Sequence, residues 1–548
     1  MLVKNDEIEV EITALGSEGE GIGHLEDGMT IFVTDALVGD RVLAHVVKVK
    51  KTYAYAFTVK ILRPSEFRVE AKCPVAVKCG GCTLLHLSYK KQLEYKQDKV
   101  RDCIERIGGI KNPPMEPIVG ADTPYFYRNK AQFPVGVDKN GKAVVGFYRK
   151  RSHDVVANTS CAIQAELNSK LLKCVEDFLN ENHISAYDES THKGLVRHVF
   201  TRIGFATGEV MVCLVVNGRE LPSHEKLFER LSAICKEDGK ELKCFCLNVN
   251  MADTNVILGK ECISLYGNLY IEDKIGDVRY RISPLSFYQV NPEQTGKLYS
   301  LARDYAGLTG NEVVWDLYCG IGTISLFMAR KAGKVYGVEI VPEAIEDAKI
   351  NASINNIDNA EFFVGASEDV ADTLPTPDVI VVDPPRKGCD EKLLETIVKV
   401  SPKRLVYVSC DPATLGRDLK YLVDKGFSVE KVTPVDQFCH TMHVETVVLL
   451  SQLRHKPDDY IDVDVDVAEF TGTSAETKAT YEKIKKYVAE HNDGMKVSSL
   501  NIAQVKRKCG IELGENYNLP KSEDSRQPQC PKEKEEAIIQ ALKAFKMI

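Results

Sequence analysis

The chain has 548 residues, 71 basic and 79 acidic side chains, a formal charge of −8 and 44 % hydrophobic residues. The length exceeds one hydrophobic core, so two to four domains are expected, and the composition excludes a wholly disordered chain. The acidic balance excludes a globally basic, histone-like nucleic-acid binder, although it leaves room for local basic patches.

Residues 1–64 read as a small β domain. Alternating or β-branched runs at 8–12, 30–33, 41–49 and 55–62 are separated by Gly16, Gly19, Gly21, Gly23, Gly28 and Gly39. Four to five short strands with glycine turns predict a small OB-type barrel. Lys48, Lys50, Lys51, Lys60 and Arg63 could line a phosphate-facing edge. Residues 65–285 combine a tight cysteine cluster, a helical stretch over 89–107 and short β-like runs at 199–205, 210–216 and 244–249, which predicts a central α+β domain.

Residues 286–454 change character. Apolar strand-like runs at 313–317, 335–338, 360–364, 379–382, 405–409 and 446–450 alternate with helical patterns such as 324–332 and 344–351. That alternation predicts a Rossmann-like, doubly wound, mostly parallel sheet, making the chain a multidomain α/β protein. Residues 455–548 read as an acidic linker (456–469) and a helical extension. Helices are expected over 478–489, 498–508 (stopped by Gly510) and 533–545. The stretch 496–507 is either an RNA-facing helix or an amphipathic helix packing on its neighbours.

Five motifs carry chemistry. The first is Cys73-x5-Cys79-Gly80-Gly81-Cys82. The N-terminus turns acidic at once and no apolar run approaches the roughly 20 residues of a membrane span, so a reducing, cytoplasmic compartment is expected. There, clustered cysteines point to metal or catalysis rather than disulfides. A fourth ligand must come from elsewhere: Cys161 is best placed and Cys103 is the runner-up. Thiolate spacing alone leaves iron–sulfur and zinc open.

The second motif runs from Val313 to Thr323 and reads as strand, Gly320-Ile321-Gly322 turn and helix. Glu339 ends the next strand, where a carboxylate can accept bonds from both ribose hydroxyls of an adenosine cofactor. Asp316 in the turn, and the lack of Gly-x-Gly-x-x-Gly, favour S-adenosylmethionine over a dinucleotide. The third, Asp383-Pro384-Pro385-Arg386-Lys387-Gly388, follows an apolar strand and places Asp383 where such sheets bind ligands. The fourth ends a strand with Ser409-Cys410-Asp411-Pro412 and presents a thiol as candidate nucleophile. In the fifth, Asp436 to Glu445, His440 and His443 are weak metal candidates and Glu445 is a candidate general base.

Together these motifs resemble the RNA uracil-5-methyltransferase family, in its iron–sulfur-containing 23S ribosomal RNA branch, from residue 1 to about 452. The resemblance implies an N-terminal TRAM domain, which is an RNA-binding, OB-like module. It implies a 4Fe–4S cluster on Cys73, Cys79, Cys82 and Cys161. It places Gln289 (in Phe287-Tyr288-Gln289-Val290-Asn291), Tyr318, Glu339 and Asp383 on cofactor-binding positions, Cys410 on the nucleophile and Glu445 on the base. One departure is Cys439, where many members have proline. The implied reaction forms 5-methyluridine through a covalent cysteine adduct at uracil carbon 6. The implied partner is ribosomal RNA in a loop or unfolded region, with no membrane association and a monomeric enzyme. Transfer-RNA-specific relatives are read as lacking both cluster and barrel. A transfer-RNA methyltransferase is the nearest alternative, and a non-enzymatic iron–sulfur RNA-binding or redox-sensing protein is a more distant one.

Overall fold

The computed structural model describes residues 2–150, 152–370, 373–452, 481–492, 495–509 and 530–545. Residues up to 456 and residues from 457 onward are two separate units.

The first unit begins with strands β1 (Glu7–Leu15), β2 (Gly21–His24), β3 (Thr30–Thr34), β4 (Arg41–Val49) and β5 (Tyr53–Arg63). They close into a barrel in the order β1-β2-β3-β5-β4. Val10, Ile12, Ile31, Val33, Val42 and Val46 alternate inward and fill it. Strand β2 corrects the sequence reading, in which Gly21 and Gly23 separate strands. A Cβ on Gly23 would lie 2.2 Å from Val10 Cγ1, so glycine is what lets β2 pack across β1.

Helix α1 (Tyr89–Arg106) follows the cysteine loop. The central sheet has the order β12-β11-β10-β9-β6-β7-β8. Its strands are β6 (Lys130–Val137), β7 (Ala143–Tyr148), β8 (Val155–Ala157), β9 (Val196–Ile203), β10 (Glu209–Val216), β11 (Glu241–Val249) and β12 (Glu261–Gly267). Helices α2 (Leu167–Glu181) and α3 (His224–Glu237) cover one face through Leu171, Phe178, Leu227 and Leu231. A hairpin of β13 (Ile271–Ile275) and β14 (Val278–Ile282) leads onward.

The third part is the doubly wound sheet, of order β17-β16-β15-β18-β19-β21-β20. In chain order its elements are α4 (Pro292–Ala306), β15 (Val313–Leu317), α5 (Thr323–Ala329), β16 (Lys334–Glu339), α6 (Pro342–Ile354), β17 (Ala360–Val364) and the single turn α7 (Ser367–Val370). Then come β18 (Val379–Val382), α8 (Glu391–Val400), β19 (Arg404–Ser409), α9 (Pro412–Asp424), β20 (Phe427–Val435) and β21 (Glu445–Gln452). The strands from β17 to β19 run parallel, and β21 inserts antiparallel between β19 and β20. Local sequence sets the helix starts: Asn291, Asp390 and Asp411 cap α4, α8 and α9 with their side chains, two of them followed by proline at the first position. Strand β20 tolerates Pro434 because it is an edge strand, and a segment around Met115 and Val119 covers that edge.

The loop between β20 and β21, residues 436–444, is gripped by α1. Lys96 and Asp436 are both fully buried and pair at 2.5 Å, and Lys96 Nζ also donates to Phe438 O at 3.0 Å. Tyr89 donates to the second Asp436 oxygen. Gln92 Oε1 accepts from His440 N, and its Nε2 lies 3.2 Å from His440 Nδ1. Thr83 N and Leu84 N, next to Cys82, both donate to His440 O.

The second unit holds α10 (Tyr481–His491), α11 (Ser499–Lys508) and α12 (Lys532–Ala544). Ile484, Val488, Ile502, Val505, Ile538 and Leu542 form its core. Ser498 starts α11 through a reciprocal capping box with Asn501. The acidic linker 456–469 and Gly510 lie outside the described residues.

Lys96→Met leaves the buried Asp436 carboxylate without its ion partner. The expected cost is about 3–5 kcal/mol, read as a lowered midpoint in chemical denaturation. A midpoint within error of the wild type would remove the pair from this role.

Candidate active site

The registers of the doubly wound sheet bring five motif residues to one edge. Leu317 pairs with Val338 on one side and Val382 on the other, Val382 with Tyr407, and Ser409 with Thr446. Glu339 ends β16, Tyr318 and Asp383 immediately follow β15 and β18, Cys410 follows β19, and Glu445 opens β21. The carboxyl edge of a parallel sheet is where ligands bind in this architecture. Because β21 runs antiparallel, its first residue meets the last residues of β19, which sets Glu445 opposite Cys410.

The turn after β15 is built for close backbone approach. Tyr318, Gly320 and Gly322 all have positive φ (76°, 53° and 80°). Glu339 accepts from Gly320 N at 3.2 Å through one oxygen and from Val341 N through the other. Each oxygen keeps a lone pair for a diol. Asp316 departs from the expected place: it sits inside β15, fully buried, and accepts from Ser325 of α5. It ties strand to helix rather than lining the turn. Gln289 is also buried, and its carbonyl accepts from Asn129 Nδ2 at 3.0 Å.

The charged groups of this edge hold one another in check. Burial pushes Asp383 up to about 7, and the Asp316 charge adds to it. Burial also raises Asp316 itself to about 7. Glu445 is pushed well above the usual carboxylate range, first by burial and then by Asp383, and its Oε2 is buried without a hydrogen-bond partner. Burial, Glu445 and Asp383 push the Cys410 thiol up to about 12, while Arg386 pulls it down. All four shifts run the same way, toward the neutral thiol and the neutral carboxyls, because burial penalises their charged forms. A cation bound among them would lower all four.

Two residues at this edge had no assigned role in the sequence. Arg386 is the cation that opposes the upward shifts of Cys410 and Glu445, and its guanidinium lies 3.4 Å from His443 Nε2. Its place three residues after Asp383 was a usable signal. Tyr299, fully buried on α4, donates to Thr323 Oγ1 and feels the charges of Asp383, Asp316 and Glu445. No pattern in the sequence joins α4 to those acids. His440 and His443 do not form a shared site: His440 packs against Tyr125 and Gln92, and His443 faces Arg386.

The other cysteines form a separate site. Cys73, Cys79, Cys82 and Cys161 line one cavity of about 270 Å³, together with Arg128, Asn158 and Thr441. Cys103 is not in its lining: it lies on α1, where its backbone carbonyl packs against Gly416 of α9 and a Cβ there would lie 2.7 Å from it. Cys82 is raised by burial and then by the charges of Cys161, Cys79 and Cys73, so the four thiols feel one another. Among the described residues no three His, Cys, Asp or Glu side chains converge as they would around a single ion. Thr441 in the cavity wall links this site to the loop that ends at Glu445.

A doubly wound α/β domain with an adenosine-type turn, a strand-end thiol and acid, and a small N-terminal barrel defines an RNA-modifying methyltransferase. Residues 88–453 match the tRNA (uracil-5-)-methyltransferase family, and residues 3–59 match the TRAM domain. A protein described as an uncharacterized RNA methyltransferase from Clostridium tetani is 48 % identical over 457 residues, 83 % of this chain and 98 % of its own. One of the same description from Bacillus cereus is 49 % identical over 458 residues, 82 % of this chain and 98 % of its own. The Pyrococcus abyssi tRNA (uracil-54, C5)-methyltransferase, solved in complex with S-adenosyl-L-homocysteine, superposes with a TM-score of 0.65 at 28 % identity. That match covers 81 % of this chain and all of the other. The chain belongs to the S-adenosylmethionine-dependent RNA uracil-5-methyltransferase family. Among the described residues no helix is long and apolar enough to cross a membrane.

A carboxyl raised on folding favours the folded state below its unfolded pKa, and that contribution is lost as pH rises through the folded value. For Asp383 the window runs from about 4 to about 7. Asp383→Asn should therefore melt higher than the wild type at pH 8, with the gain closing toward pH 4. A gain that is constant across pH would refute buried charge as its cause.

Proposed function

We propose that the chain forms 5-methyluridine in 23S ribosomal RNA, with Cys410 as nucleophile and Glu445 as base. The observation that carries this reading is the placement of a thiol and an unpartnered buried carboxyl opposite each other, where the carboxyl end of β19 meets the amino end of β21. S-adenosylmethionine supplies the methyl group as a sulfonium cation, held by Gln289, Tyr318, Glu339 and Asp383. Carbon 5 of uracil is too weak a nucleophile alone. Cys410 Sγ, as the thiolate once its proton has left to solvent, adds to carbon 6, which pushes electron density through the enolate to carbon 5. Carbon 5 takes the methyl as the methyl–sulfonium bond breaks with its electron pair on sulfur, which leaves S-adenosylhomocysteine. Glu445 then removes the carbon 5 proton, and the electrons of that C–H bond expel the thiolate. Its raised pKa suits a base that must hold the proton afterwards. Arg386 favours the thiolate. The base must leave its stack to be approached in this way, so a loop or unfolded region is the fitting substrate.

The four-thiol cavity suits a 4Fe–4S cluster on Cys73, Cys79, Cys82 and Cys161. Four mutually repelling thiolates need cationic charge between them, and one zinc would need all four sulfurs about 2.3 Å from a single point. The cluster would supply structural cross-linking of the loop, the central domain and the wall at Thr441. No proton or methyl step needs it.

Transfer RNA is a second reading, favoured by the match to the P. abyssi tRNA enzyme. Its whole length aligns with 81 % of this chain, so its reach extends well beyond the doubly wound domain. The expectation that transfer-RNA enzymes lack the barrel is weakened by that coverage.

Cys410→Ala should abolish methyl transfer while S-adenosylmethionine still binds, and retained turnover would sink the mechanism. Glu445→Gln should accumulate a covalent RNA adduct that survives a denaturing gel; its absence would remove Glu445 as the base. Anaerobically purified protein should carry about four irons per chain, and stoichiometric zinc would overturn the cluster. Mapping 5-methyluridine in ribosomal and transfer RNA with and without the gene separates the two substrates.

A further inference from the structure

The outward face of β3 and β5 is aromatic. Strand alternation buries Ile31, Val33, Ala54 and Ala56 and turns Phe32, Tyr53 and Tyr55 outward, where they are only half-buried. These three rings form one cluster with centroids 5.5–5.9 Å apart. The strip continues to Phe57, which is 43 % exposed and lies 5.1 Å from the His45 ring. A solvated strand face would carry polar side chains at these positions.

Charge is arranged around this strip. Lys48 pairs in register with Tyr55 on the adjacent strand, and Lys50 and Lys51 follow at the turn into Tyr53. All three are exposed, and among the described residues none has a carboxylate partner. The outward residues of β1, by contrast, include Glu7, Glu9 and Glu11, two of them paired with Arg41 and Arg63. An anion is therefore drawn to the aromatic side of the barrel, where the cations are free, rather than to the β1 side, where two of the three acids are already paired.

We propose that Phe32, Tyr53 and Tyr55 form a stacking platform for unpaired bases of the RNA substrate, with Lys48, Lys50 and Lys51 on the neighbouring phosphates. Every base has a π-face, so the platform holds single-stranded RNA with little regard to sequence. The barrel is tied to the active-site loop. Tyr95 donates to Gly16 O, Lys99 donates to both Ser17 O and Met442 O, and Gly19 packs on Met442, three residues before Glu445. A strand held on the platform is thus fixed relative to the loop that carries the base, and bases flanking the target are kept unstacked. The proposal rests on RNA being the substrate and not on which RNA it is or on the roles of Cys410 and Glu445.

The test is the affinity of the full chain for a fluorescein-labelled 12-nucleotide oligouridine, followed by anisotropy. Tyr53→Leu with Tyr55→Leu keeps apolar cover but removes two π-faces, and it should weaken binding at least about tenfold. Tyr53→Phe with Tyr55→Phe should bind as the wild type does. Binding of S-adenosylmethionine by calorimetry should be unchanged in both. Lys48→Ala, Lys50→Ala and Lys51→Ala together should flatten the slope of log affinity against log salt by about 2. An unchanged affinity in the folded Leu variant, or an equal loss on a blunt RNA duplex, overturns the platform; an unchanged salt slope overturns the phosphate contacts. The readout is binding by the barrel and not turnover, so a failure here is distinguishable from a failure of the roles of Cys410 and Glu445.

Discussion

The buried Lys96–Asp436 ion pair is the constraint on which the rest of the first unit depends. It takes a charge of each sign fully out of water, which is tolerable because Tyr89 donates to Asp436 and Phe438 O accepts from Lys96, while Gln92 holds the neighbouring His440. The network fastens α1, which follows the cysteine loop, to residues 436–444, which lead into Glu445. Through Thr83, Leu84 and Thr441 the same loop touches the four-cysteine cavity. Through Met442 it touches the β1–β2 turn of the barrel. Barrel, thiol cavity and catalytic edge are therefore all built against one nine-residue segment.

The catalytic edge shows a second kind of dependence. Asp316 and Glu445 are buried, Asp383 and Cys410 are half-buried beside them, and the ionisations oppose one another in a chain: Asp316 raises Asp383, Asp383 raises Glu445, and both Glu445 and Asp383 raise Cys410. That arrangement suits a cationic methyl donor, whose charge relieves the repulsion. Arg386, at the exposed rim, offsets only part of the repulsion.

Much of this was legible in the sequence because the signals are local. The Gly320-Ile321-Gly322 turn, the prolines after Asp383 and Cys410, and the strand periodicities each depend on a few adjacent residues. Other features were not. Gly21 and Gly23 read as turn residues because glycine has no preference of its own to declare, and only the crowding of Val10 across the barrel shows why a strand needs them. Asp316 reads as a turn ligand because chain position does not say which way a strand side chain points. Arg386 lies inside the Asp383–Gly388 motif yet declares no role there, because its effect lies in a charge balance with residues up to 59 positions later.

By itself the sequence determined the order of the domains, the kind of strand and helix in each, and the identity of the thiols and carboxyls that make the chemistry thinkable. These follow from composition, periodicity and short-range steric rules. Only the tertiary structure decided which groups meet. The antiparallel insertion of β21 beside β19 sets Glu445 opposite Cys410, the fold brings Cys161 and not Cys103 to the cavity of Cys73, Cys79 and Cys82, and barrel closure gathers Phe32, Tyr53 and Tyr55 on one face. Such meetings rest on contacts between residues far apart in the chain, and no local preference records them.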